Sequence, residues 1–152
     1  MYAIMRVQER DKMPITKLSP TDAREAIQEW TGAVDTLFEQ VQNWIAEERA
    51  QEWHLSFSTS EVTEESIGSY VIRVMEIDTR DRKLILEPIG YDVLGARGRI
   101  DLYAWPSLYR VMLLRSFTDE GWIIRTESGI NWPQHWGNQS FLAVAEQLLN
   151  AS

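Results

Sequence analysis

From Lys83 to Thr126 the chain runs in short apolar stretches separated by turn residues, and this pattern predicts the spine of one antiparallel sheet. Leu84, Ile85, Leu86 and Ile89 make a nearly continuous apolar run, expected of a strand covered on both faces. Pro88 has no N–H for a ladder and is expected at a strand end or edge. Tyr91 to Leu94 leads into Gly95-Ala96-Arg97-Gly98, whose glycines suit a tight connection. Arg99 to Trp105 then alternates, with Ile100, Leu102 and Ala104 on one face and Asp101, Tyr103 and Trp105 on the other. After a turn at Pro106-Ser107, Tyr109 to Arg115 is again mostly apolar. Thr118 to Gly121 reads as a hairpin connection, and Trp122 to Thr126 returns. Such short connections favour a meander, because parallel neighbours need long crossovers.

Before the sheet, the period changes to that of a helix. Ser19 suits an N-cap, Pro20 the first helical position, and Asp22 the third. Ala23, Ile27, Trp30, Val34, Leu37, Val41 and Trp44 form one apolar seam, widened by Phe38 and Ile45. A seam of that width fits packing on a sheet, with the helix ending between Glu48 and Glu52. Gly32 interrupts it at a cost of about 1 kcal/mol, so it permits a close approach or marks a kink. Trp53, Leu55 and Phe57 predict a half-buried strand, Thr59 to Ser66 a polar connection, Tyr70 to Ile77 another strand, and Asp78 to Asp81 a turn. Residues 2–7 alternate weakly enough to suggest an added edge strand. A last helix, capped by Asn138 or Ser140, places Phe141, Val144, Ala145 and Leu148 on one face. The expected fold is α+β: an antiparallel meander of about five to six strands, a long N-terminal helix packed on it, and a short C-terminal helix, in one domain over residues 1–152.

Charge changes the picture on the helix side. The chain of 152 residues has a formal net charge of −8. Residues 1–66 hold 13 acids against 6 bases, and residues 67–152 hold 10 against 9. That balance argues against double-stranded nucleic acid as a partner. A local basic patch from Arg97, Arg99, Arg110 and Arg115 stays open, as does stacking of a single strand on Tyr103 and Trp105 between Arg99 and Arg110. Packing of those rings on the second sheet face is the blander account. No apolar run approaches the roughly 20 residues of a bilayer span, the first residues lack an export signal, and cysteine is absent. Those features predict a cytoplasmic protein with no membrane partner and no disulfide.

Catalytic signals are weak. His54 and His135 are the two histidines. A Ser-His-Asp set from His135 and Asp101 lacks any nucleophile elbow, and no pair shows metal-ligand spacing. Glu87, Asp92, Asp101 and Glu127 offer carboxylates that nothing pairs, and Gly95 to Gly98 lacks the Lys-Ser/Thr of a phosphate loop. No catalytic residue, metal or cofactor is therefore assigned. The seven tryptophans are more suggestive. Trp132, His135 and Trp136, together with Trp105, are candidate pocket or anchor residues, or else they cap the core.

Two function classes follow. The first is a non-catalytic cytosolic interaction domain of inhibitor, immunity, adaptor or subunit type. It would take a basic protein partner on an acidic helix face of Glu25, Glu29, Asp35 and Glu39. The second is a small-molecule-binding or enzymatic domain with a pocket between sheet and helices, rimmed by residues 130–137.

Overall fold

The structure is a computed structural model that describes residues 17–107, 109–117, 121–126 and 134–151. Helix α1 (Pro20–Glu48) opens as its sequence dictates: Pro20 leads, and the Ser19 hydroxyl accepts the Asp22 N–H at 3.1 Å. Then come β1 (His54–Glu64), β2 (Gly68–Asp78), β3 (Lys83–Gly90), β4 (Arg99–Trp105), β5 (Val111–Arg115), β6 (Trp122–Thr126), a two-residue β7 (Gln134–His135) and helix α2 (Asn138–Asn150). The strands lie in chain order in one seven-stranded antiparallel sheet, and its six longer members match the expected meander.

Register determines which side chains share a face. Phe57, Met75, Leu86, Leu102 and Val111 form one cross-strand row, and Pro88, Ile100, Leu113 and Ile124 another. These rows meet Trp30, Val34, Leu37, Phe38 and Val41 of α1, all essentially inaccessible, and Phe141, Val144 and Ala145 of α2. Both helices thus cover one face. The other carries Ile85, Glu87, Arg99, Asp101, Tyr103, Met112, Leu114 and Ile123.

Three expectations change. Thr59 to Glu64 is strand rather than connection: it continues β1 against Gly68 to Arg73 of β2. An edge strand with one wet face needs few apolar residues, so its polarity resembled a loop. β3 is not sealed on both faces, since Ile85, Glu87 and Ile89 are only half-buried. Pro88 sits as expected near the end of β3, beyond the stretch paired with β2 and beside the register shift between Pro88 and Gly90, where no ladder N–H is needed. Helix α2 begins one residue after Gly137, and Ser140 caps from inside the helix, its hydroxyl accepting the Gly137 N–H at 2.8 Å. The edge strand expected at residues 2–7 lies outside the described residues.

Candidate functional site

Trp30 builds the clearest site. Its buried indole lies against Gly98, whose φ of +156° and bare Cα let the chain pass over the ring. From there Arg97 N–H donates to the Arg115 carbonyl at 3.0 Å, and Arg115 N–H donates to the Gly98 carbonyl at 2.9 Å. The two arginines therefore leave neighbouring backbone positions beside α1. Glu29, one residue before Trp30, meets both. It accepts from Nη1 of Arg115 at 3.0 Å and from Nη2 of the same guanidinium, with Arg97 Nη2 at 3.5 Å. The Arg115 hydrogen bonds outweigh burial and, with the charges of Arg115 and Arg97, hold the Glu29 carboxyl below its ordinary range. A cleft of about 430 Å³ opens here, walled by Gly32, Ala33, Thr36 and Trp122 besides the three charged residues.

A second polar cluster lies on the face away from the helices. Asp101 is 1% exposed and takes a bidentate pair from Arg99, Nε at 2.7 Å and Nη2 at 3.0 Å. Arg110 Nη1 joins at 3.2 Å and also reaches Glu87 at 3.3 Å. The Tyr103 hydroxyl donates to Glu87 at 2.9 Å while Arg110 stacks 4.1 Å above the Tyr103 ring. Burial, then the Glu87 hydrogen bond and charge, push the Tyr103 phenol up to about 12. At neutral pH the phenol keeps its proton, and Asp101 accepts three guanidinium hydrogen bonds. The cluster therefore ties β3 and β4 to the segment just before β5.

Of the sequence-predicted residues, Glu87 and Asp101 come together across β3 and β4 with Arg99, Tyr103 and Arg110, and the others disperse. Glu25, Glu29, Asp35 and Glu39 do share the outward side of α1, but two of them turn to the sheet. Glu29 pairs as above, and Asp35 accepts from Arg73 at 3.1 and 3.2 Å. Glu25 and Glu39 make no ion pair among the described residues. The basic patch does not form as one surface: Arg97 and Arg115 serve Glu29, whereas Arg99 and Arg110 serve Asp101 on the other face. Trp136 packs on Trp44 and Phe141 with centroids at 5.6 and 5.4 Å, closing the core beside α2. His135 is exposed in β7, and Trp105, 57% exposed, stands at the end of β4. Three inter-strand steps, about 14 Å, separate the strands of Asp101 and His135, so no triad assembles. Trp132 and Glu127 lie outside the described residues.

Sequence reasoning missed three features. The Glu64 carboxylate accepts from the Tyr70 hydroxyl and from the Tyr91 and Asp92 N–H groups at 2.9 and 3.0 Å, fastening the β1–β2 hairpin to the loop after β3. Burial and that carboxylate raise the Tyr70 phenol well above its usual range. Arg82 donates to the carbonyls of Leu148, Ala151 and Ala104, tying the end of α2 to the sheet. Finally, Leu94 and Phe117 stand fully and 62% exposed around a depression of about 270 Å³ floored by Leu114 and Ile123, with Arg125 at its side. Nothing in the spacing of these residues announces that they meet.

Among the described residues no group of three His, Asp or Glu side chains gathers to hold a metal ion, and no helix is long and apolar enough to cross a membrane. Comparison with protein-family models, curated proteins and solved structures finds no significant match.

Proposed function

We propose that this chain is a non-catalytic protein-interaction domain that docks its partner at the Leu94–Phe117 corner of the sheet. The observation that carries this reading is the exposed apolar depression itself. Two large side chains project into solvent around Leu114 and Ile123, an arrangement that costs solubility and marks interaction surfaces. The ionisable groups support a binding role over a catalytic one, because the buried Asp101 carboxylate is held by Arg99 and Arg110. The acidic helix contributes less direct contact than its composition suggests, since Glu29 and Asp35 are engaged internally. Glu25 and Glu39, with the net charge of −8, still steer a basic protein toward the molecule. A cytoplasmic location belongs to this reading, since a chain without cysteine needs no oxidising compartment to fold.

Affinity capture from cells of origin tests the reading, comparing the native chain with Leu94→Glu and Phe117→Glu variants. Both changes sit at exposed positions and should leave the melting temperature unchanged while removing a specific captured protein. Identical captured sets from all three baits, with intact folds, would rule out this corner as the docking surface. Light scattering on the free chain separates a partner from a second copy.

A further inference from the structure

The cleft beside α1 contains a residue that packing does not explain. Gly32 lies in the interior of a 29-residue helix, where only proline is less favourable. A close neighbour would justify it, yet among the described residues no atom lies within 4 Å of where a Cβ on Gly32 would stand. Nor does Gly32 adopt a positive φ. The helix would accommodate alanine there, so packing among the described residues gives no reason for the bare backbone. One turn earlier on the same side, Glu29 gathers the guanidiniums of Arg97 and Arg115. Thr36 is one turn later, and Trp122 forms the opposite wall.

We propose that this cleft binds a small molecule carrying one phosphate or carboxylate group on a flat, largely apolar body. Arg97 and Arg115 take the anionic group, since two guanidiniums present fork-shaped donors matched to such oxygens. The body lies across Gly32 and Ala33 beside the edge of Trp122, where any side chain at position 32 would occupy its place. The volume of about 430 Å³ falls within the range of small-molecule sites. Glu29 is then a resident counter-ion. Its side chain is 41% exposed, so it can swing into water and yield both guanidiniums to the ligand. This site is separate from the proposed docking corner, although Arg115 borders both.

The counter-ion role makes an unusual demand. Removing the Glu29 charge must strengthen binding, whereas a purely structural ion pair would only lose stability. The test titrates the isotope-labelled chain with phenyl phosphate, benzoate and inorganic phosphate, following the amides of Gly32, Ala33 and Arg97 by NMR. Saturable shifts are expected with phenyl phosphate or benzoate, at affinities at least tenfold tighter than for inorganic phosphate. Glu29→Gln should tighten the better probe several-fold. Gly32→Leu should abolish binding with no fall in melting temperature, and Arg97→Gln should weaken it more than tenfold. The proposal is overturned by no saturable shift in either the native chain or Glu29→Gln, or by equal affinity for all three probes. It is equally overturned by weaker binding in Glu29→Gln, or by binding that survives both Gly32→Leu and Arg97→Gln. Should Gly32→Leu fail to fold, the Glu29 and Arg97 variants decide.

Discussion

The ring of Trp30 occupies the space that a side chain on Gly98 would need: a Cβ there would lie within 3 Å of three indole carbons. That contact seats the loop after β3 on α1 and carries Arg97 to Glu29. Gly98→Ala should therefore destabilise the fold by about 2–3 kcal/mol, combining overpacking with an unfavourable φ. Gly95→Ala, also at a positive φ of 83° but with open space around it, should cost less. Urea denaturation of the two variants checks the order.

The aromatic residues separate into a keystone and a cap. Trp30→Ala should cost about 3–5 kcal/mol, since the ring is fully buried between Tyr91, Trp122 and Gly98. Trp136 is only half-buried against Trp44 and Phe141, and alanine there should cost about 1–2 kcal/mol. Equal thermal shifts for the two variants would contradict this division.

Glu29 should make stability depend on acid. Its carboxyl titrates lower in the folded chain than its ordinary value of 4.5, so the unfolded chain takes up the proton first as pH falls. The stabilisation is present above that value and is lost as pH drops through the lower folded pKa. The stability difference between native chain and Glu29→Gln should be flat near neutrality and shrink below pH 4.5. Denaturant midpoints measured across that window show the convergence.

The four acids of α1 should divide into two classes. Lysine at both Glu25 and Glu39 should leave stability within about 0.5 kcal/mol of the native chain, because it also relieves like-charge neighbours four residues apart. Lysine at Glu29 and Asp35 should lower it by about 1 kcal/mol, because each then faces an arginine. Calorimetry distinguishes the pairs. If a basic partner is steered by the helix, the Glu25 and Glu39 reversal should also slow its association and flatten the salt dependence.

Those same acids show where local reading stops. Taken alone, α1 places Glu25 four residues from Glu29 and Asp35 four from Glu39, which disfavours an isolated helix. In the fold, one member of each pair meets an arginine from a strand 38 or more residues away, so the local conflict is a tertiary complement. The C-terminal helix is similar. Its last turn contains no base, and Arg82 from the β2–β3 turn supplies the donors its carbonyls need.

The amino-acid order by itself determined the periodicities. It set the seam of α1 from Ala23 to Trp44, the cap at Ser19, the alternation of β4 and the short turns that force a meander, because each depends on neighbours within a few residues. Tertiary structure alone decided everything that requires two distant segments to meet. It gave Asp101 its guanidinium shell, turned Glu29 toward Arg97 and Arg115, and left Gly32 bare beside them. Hydrophobic burial specifies which face of a strand or helix turns inward, but not which polar side chains the rims then bring together. That is decided by register and by close contacts such as Trp30 on Gly98, which depend on the packed shape of the whole core.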